Sequence, residues 1–324
     1  MKTATEILQL FNQALQAHPF DRKPAGLYEP VKYVLSLGGK RIRPVLMLMA
    51  YQLYRDDLES ILPTALGIET YHNYTLLHDD VMDKADVRRG KPTVHKVWNE
   101  NAAILSGDSM LVLAYQMMAE AKPPYLKQVI DLFTETALEI GEGQQMDLEF
   151  ETRMDVREEE YIEMIRLKTS VLLACALKIG AIQGGASVAD AALLYRFGEH
   201  IGLAFQLQDD LLDVYGDFAT FGKKIGGDIL CNKKTYMLIN ALRLADTEQR
   251  AALEHWLSLE DYRPEEKIEA VTNLYNQIGV RALAEAKINS YFDSALQSLD
   301  EVSLPTETKA PLRQFALSLL GRKS

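Results

Sequence analysis

Cysteine is nearly absent. Cys175 and Cys231 are the two in 324 residues, which excludes a disulfide-stapled scaffold and suits a reducing compartment. Proline is sparse too, with 11 in all. Pro19, Pro24, Pro30, Pro44, Pro92, Pro123, Pro124 and Pro305 read as places where helices stop. The opening MKTATEILQLFNQALQ has polar residues every few positions, so it is expected to be neither a secretory signal nor a membrane span. There is no Gly/Ser linker, no low-complexity run and no sustained strand alternation. An excess of base is also lacking: 35 Lys and Arg stand against 46 Asp and Glu, a net charge of -11. That excludes a broad nucleic-acid surface but leaves room for a few bases gripping a small phosphate. The expectation is a cytoplasmic protein without stable membrane insertion.

What the chain does have is helical periodicity. Ile7, Leu8, Phe11 and Leu15 share one helix face. The same spacing predicts helices over 45–54, 61–77, 102–119, 126–140, 161–182, 189–214 and 268–299. Pro123-Pro124 should separate two long helices, and Gly184-Gly185 should cap one helix before a new start at Ser187. With 48% hydrophobic residues and no break in composition, residues 1–324 read as one all-α domain. The helices near 61–83, 102–120 and 189–215 are apolar on more than one side, as in a bundle interior.

Two segments look alike, Leu76–Asp83 (LLHDDVMD) and Phe205–Asp213 (FQLQDDLLD). Each is an apolar helix end followed by DDxxD. Asp79 and Asp83 are four apart, as are Asp209 and Asp213, so each pair shares a helix face. Like charges at that spacing weaken a helix, and the C-terminal end of a helix disfavours anions. A cation offsets both costs, and Mg²⁺ suits aspartate oxygens, filling its shell with water and phosphate. Either motif alone could be a solvated acidic helix end; two copies argue against that.

Small groups of bases accompany the acid. In GGKRIRP a Gly-rich turn opens a helix and places Lys40 and Arg43 on one face. Arg88 and Arg89 follow the first DDxxD. Lys168-Thr169 interrupts an apolar helix, and a lysine there wants a specific anion. Lys223-Lys224 and Lys233-Lys234 flank Gly226-Gly227-Asp228. Acid, metal and base together are a recipe for holding diphosphates, one through Mg²⁺ between two acidic helices and a second without metal. An apolar channel between long helices would take a hydrocarbon tail.

In this setting the chain resembles the trans-isoprenyl diphosphate synthases (polyprenyl synthetases), which include farnesyl and geranylgeranyl diphosphate synthases. The likeness runs from about residue 30 to about 236 through GGKRIRP, HDDVMDKADVRRGKPTVH, GEGQQMDL, LKTS and FQLQDDLLDVYGD, trailed by GKKIGGDI and NKKT. It implies a Mg²⁺-dependent prenyltransferase, an antiparallel bundle of the isoprenoid synthase type with a central apolar cavity, three Mg²⁺ ions per active site and a homodimer. The substrates it implies are isopentenyl diphosphate and an allylic diphosphate. It implies metal ligands at Asp79, Asp80 and Asp83, and at Asp209, Asp210 and Asp213. Arg88 resembles the base on the allylic diphosphate and Arg89 the base on isopentenyl diphosphate. Lys40, Arg43 and His72 match the rest of the isopentenyl site. Lys168, Thr169 and Gln206 match groups near the allylic diphosphate and nascent cation, and Lys233 matches a lysine on that diphosphate. Lys223 and Lys224 compete for one family position. Gln144 and Asp147 match the family's GQxxD. The Gly- and Lys-rich stretch 218–234 is the candidate lid.

Product length follows from depth along the helix that ends at Asp79. One turn rises about 5.4 Å, close to one isoprene unit. In the family, bulky residues four and five before the first aspartate form a floor. Here the fifth is Tyr74 and the fourth is the small Thr75, so the floor is partial, with Tyr71 a second stop. The expected product has fifteen to twenty carbons, twenty favoured. The alternatives are a terpene cyclase of the same fold and a non-catalytic synthase subunit.

Overall fold

Polar caps mark where some helices begin. Thr3 and Glu6 form a reciprocal capping box on α1 (Ala4–Ala17), Asn99 caps α6 (Glu100–Met118), and Asp246 with Gln249 caps α13 (Thr247–Ser258). The structure is a computed structural model and describes residues 1–216 and 225–320. The other helices are α2 (Ala25–Ser36), α3 (Ile42–Gln52), α4 (Leu62–Met82), α5 (Val94–Val97), α7 (Leu126–Thr152), α8 (Glu158–Ile165), α9 (Val171–Gly184) and α10 (Val188–Tyr215). They continue with α11 (Gly227–Leu230), α12 (Tyr236–Leu244), α14 (Pro264–Ile278), α15 (Val280–Asp300) and α16 (Thr306–Leu320). Among the described residues the only strands are Val87–Arg88 and Lys91–Pro92, a minimal antiparallel ribbon. No helix among them is long and apolar enough to cross a membrane.

The chain divides into two compact units. The first comprises Met1–Thr134, Cys175–Leu194 and Ser303–Leu312. Its core is the pairing of α4 with α6, brought close by glycine. A Cβ on Gly67 would lie 3.1 Å from the Ala114 carbonyl oxygen, and one on Gly107 would strike the His78 ring at 2.2 Å. The second comprises Glu135–Ala174, Tyr195–Val302 and the chain from Arg313 on. Its core includes Tyr161, Leu207, Met237, Leu253 and Tyr275, each at most 3% exposed.

Several expectations need correction. The helix read over 268–299 is two, because Gly279 takes φ 84°, a left-handed cap that ends α14 and opens α15. The helix read over 161–182 is broken by a π-turn, Arg166–Ser170. Pro30 lies inside α2 rather than at its end. Lys40 and Arg43 do not share a helix face: α3 starts at Ile42, and Arg41 before it is left-handed at φ 49°. Gly185 does take the left-handed cap, at φ 90°, and Ser187 Oγ accepts the Asp190 N–H as the new helix starts.

Candidate active site

In the first unit, α4 carries His72, Tyr74, Asp79 and Asp80, and Asp83 is its C-cap. Asp83 is exposed and Asp79 half-buried, whereas Asp80 is 4% exposed. The buried carboxylate is held by Arg88, whose Nε lies 2.8 and 2.9 Å from its two oxygens and whose Nη2 lies 2.8 Å from Oδ1. Such a fork is the strong form of the ion pair. Burial still leaves the Asp80 pKa above the ordinary carboxylate value, against the pull of Arg88. Arg88 Nη2 also stands 3.7 Å from Asp79.

Arg88 and Arg89 diverge because a tight hairpin separates them. Arg89 and Gly90 take φ 52° and 74°, the positive pair that a two-residue turn between twisted strands requires. Arg89 Nη1 donates to the Gly38 carbonyl. A Cβ on Gly39, at φ 137°, would fall 2.9 Å from the Arg89 guanidinium carbon, so glycine leaves that space to the arginine. Arg43 Nη1 is 3.2 Å from His72 Nε2, while Arg43 Nε is buried with no hydrogen-bond partner. Burial, with Arg89 adding to it and Glu69 opposing, pushes Arg43 down to about 10. Burial first, then Arg43, Arg89, Arg88 and Arg41, hold His72 well below the ordinary histidine range. A packed group of bases with an unsatisfied buried donor is a site for an anion. Lys40 is exposed on the turn beside it.

This turn has an anchor that sequence reasoning missed. Arg41, 6% exposed, pairs with the 2% exposed Glu69 at 2.6 Å and donates to the Leu35 carbonyl. Asn73 Nδ2 donates to the same Glu69 carboxylate at 2.9 Å. The signal was there: a glutamate in the apolar interior of α4 needs a partner.

In the second unit, Lys168 sits on the π-turn, a feature common at functional sites. Gly143 makes room, since a Cβ there would lie 2.4 Å from the Lys168 backbone nitrogen. Lys168 Nζ donates to Asp147 Oδ2 at 2.6 Å. Burial pushes the Asp147 carboxyl up, and Lys233 and Lys168 more than offset this, leaving it below the ordinary carboxylate value. Thr169 Oγ1 donates to Gln206 Oε1 at 3.3 Å, and Gln206 Nε2 donates to Asp210 Oδ1 at 3.1 Å. The Tyr161 hydroxyl donates to Asp210 Oδ2, a partner sequence reasoning did not name. Burial, with the Asp228 charge adding to it, raises Asp210 to about 7. Asp213 Oδ2 accepts the Asp228 backbone N–H at 2.9 Å, and Asp209 is half-buried. Lys223, Lys224 and the first part of the expected lid, through residue 224, lie outside the described residues.

The two acidic motifs agree at the second aspartate and differ at the last, where Asp83 is exposed and Asp213 is buried. The second aspartate of each is buried and held by protein groups, Asp80 by Arg88 and Asp210 by Tyr161 and Gln206. Among the described residues no three His, Cys, Asp or Glu side chains converge into a protein-only metal cage. The donor chemistry of an exposed Asp83 and a half-buried Asp79 four residues apart still fits Mg²⁺, which takes one or two carboxylates and completes its shell with water and phosphate.

Along α4, aromatic rings form a row. Tyr74 lies 4.9 Å from His78 and 5.4 Å from Tyr71 between centroids, and Tyr71 lies 5.1 Å from Phe133. Tyr71 is 2% exposed and Tyr74 half-buried. Thr75 turns its hydroxyl back to the His72 carbonyl.

Known proteins share this arrangement of sequence and fold. Residues 24–276 match the family described as Polyprenyl synthetase. The short chain isoprenyl diphosphate synthase of Methanocaldococcus jannaschii is 41% identical over 266 residues, 82% of this chain and 80% of that protein. The geranylgeranyl diphosphate synthase of Methanosarcina mazei is 43% identical over 221 residues, 68% of each. A crystal structure of a geranylgeranyl pyrophosphate synthase superposes with a TM-score of 0.95 at 44% identity, covering 100% of both chains. On these grounds the chain belongs to the polyprenyl synthetase family, as an all-α trans-prenyltransferase.

Proposed function

We propose that the chain joins isopentenyl diphosphate to an allylic diphosphate (dimethylallyl, geranyl or farnesyl) and releases a trans-polyprenyl diphosphate of fifteen to twenty carbons, twenty favoured. The observation that carries this reading is the Arg43–His72–Arg89 cluster with its unsatisfied Arg43 Nε. A condensing enzyme needs that second anion site; a terpene cyclase has no ligand for it. A non-catalytic subunit is expected to have lost acidic or basic positions, and all are present here.

Arg43, His72, Arg89 and Lys40 hold the diphosphate of isopentenyl diphosphate and place its double bond. Asp79 and Asp83, with Asp80 beside them, and Asp209 and Asp213, with Asp210 in support, would hold Mg²⁺, three ions in all. Bound there, Mg²⁺ supplies Lewis-acid neutralisation of the allylic leaving group. Asp80 and Asp210 orient Arg88 and Gln206. Arg88, Lys168 and Lys233 donate to the allylic diphosphate as its C–O bond breaks, countering the charge that grows there. Thr169 and Gln206 line the nascent allylic cation. The double bond attacks, and the released diphosphate takes the proton. Tyr74, with Tyr71 behind it, stops the growing tail.

The family match over most of the chain supports reading it as a single synthase domain. Two free cysteines suit the cytoplasm. A homodimer is supported by α6, where Leu105 is 58% and Val112 69% exposed beside a groove of about 730 Å³. The test is substrate dependence. With Mg²⁺ and an allylic diphosphate, turnover should require isopentenyl diphosphate, and Arg43→Ala should raise the KM for that substrate. Turnover of the allylic diphosphate alone, to hydrocarbon, would identify a cyclase.

A further inference from the structure

Lys267, on α14, is 0% exposed. Among the described residues no carboxylate lies within ion-pair distance of it. Its ammonium instead donates to Asn232 Oδ1 at 2.7 Å and sits 4.2 Å from the centre of the Tyr262 ring. A methionine or leucine would fill the same volume without the cost of burying a charge. The lysine therefore does something an apolar side chain does not, and its partners show what.

Asn232 is left-handed, at φ 52°, in the turn that follows α11. Its side chain is gripped from both ends, since Nδ2 donates to the Leu257 carbonyl at 3.0 Å while Oδ1 accepts from Lys267. The Tyr262 hydroxyl donates to the Leu230 carbonyl at 3.2 Å, pinning the other flank of the turn. This short segment has two outputs. At its start, the Asp228 N–H caps Asp213. At its end, the Lys233 N–H closes on the Asp228 carbonyl at 2.9 Å, and the Lys233 charge acts on Asp147 and Asp210. Asp228, Asn232, Lys233 and Lys267 line one cavity of about 10 Å³, room for a single water and no ligand.

We propose that Lys267 is a positioning residue: through Asn232 and Tyr262 it fixes the 227–233 turn so that Lys233 meets the allylic diphosphate. This rests on the reading of Lys233 given above, so the experiment measures Lys233→Ala beside Lys267→Met. In the full-length enzyme with Mg²⁺, Lys233→Ala should raise the KM for the allylic diphosphate about tenfold or more, the loss of one charge-assisted contact. Lys267→Met should raise the same KM about fivefold, as a misplaced contact does, and leave the KM for isopentenyl diphosphate unchanged. The double variant should be no worse than Lys233→Ala alone. Asn232→Gly keeps the left-handed backbone and removes the amide; it should raise the allylic KM about threefold and carries the test if Lys267→Met fails to fold. Unchanged allylic KM in Lys267→Met or Asn232→Gly would reduce Lys267 to a structural role. Penalties that multiply in the double variant would show that Lys267 does not act through Lys233. No effect of Lys233→Ala would remove the reading of Lys233 itself and the route proposed here with it.

Discussion

Arg88 and Arg89 are adjacent in sequence and serve different partners, Asp80 and the Gly38 turn. Arg89→Ala should therefore raise the KM for isopentenyl diphosphate more than that for the allylic substrate, and Arg88→Ala should do the reverse, each by about 1.5–3 kcal/mol of transition-state binding. Equal effects on both substrates from both variants would mean the sites are misassigned. The half-buried first aspartates of the two motifs differ from the buried second ones. Asp79→Ala or Asp209→Ala should abolish condensation yet leave the helical circular-dichroism spectrum intact, because each removes a ligand that Mg²⁺ uses once diphosphate is bound. Full activity in either variant contradicts the metal assignment. His72 gives a pH signature. Its folded pKa is depressed, so below pH 6.5 the unfolded chain takes up a proton that the folded chain refuses. Stability then falls as pH falls, by about 1.4 kcal/mol per unit from this group, until the folded pKa is reached. Denaturant titrations between pH 5 and 8 should show a shallower acid loss in His72→Gln than in the native enzyme. Parallel curves would contradict the depressed pKa of His72.

Arg41 ties the GGKRIRP turn to α4 through Glu69. Arg41→Met leaves a carboxylate buried without its cation and should cost about 3–5 kcal/mol, measured by denaturant unfolding, while adding Glu69→Met should recover much of it. A cost below 1 kcal/mol for the single variant would show that the turn is held by something else. Arg41 also marks the border between what the sequence discloses and what it hides. Periodicity disclosed α4, α6 and α10 because apolar residues recur at helical spacing over long runs, and DDxxD stood out because two acids at i and i+4 are costly without a cation. The break at Gly279 was hidden, since apolar spacing continues from Val271 and Tyr275 to Val280 and Ala284, and a lone glycine in a helix is tolerated. Nothing in the spacing of 161–182 announces the π-turn, which includes Lys168 where its backbone passes close to Gly143. The ribbon at Val87–Arg88 is too short to show alternation, though Arg89-Gly90 is a usable turn signal. Glu69, Tyr161 and Lys267 belong to the site's support, and pairing them needed contacts between residues 28, 49 and 35 positions apart.

For the chain as a whole, family membership sets the reaction, and the proposed stop for the growing tail is Tyr74 with Tyr71 behind it. Tyr74 and Tyr71 line one face of α4 in a packed aromatic row, with Thr75 too small to add to it. Tyr74 lies five residues before Asp79, about 7.5 Å along the helix axis, so under the proposed reading its truncation should deepen the space for the tail. The deciding measurement is the mass of the products formed by the purified native enzyme and by Tyr74→Ala from isopentenyl diphosphate, dimethylallyl diphosphate and Mg²⁺. The native enzyme should release chains of fifteen to twenty carbons, mainly twenty, and Tyr74→Ala should release chains at least five carbons longer. Native products of thirty carbons or more, or an unchanged spectrum from Tyr74→Ala, would contradict the account.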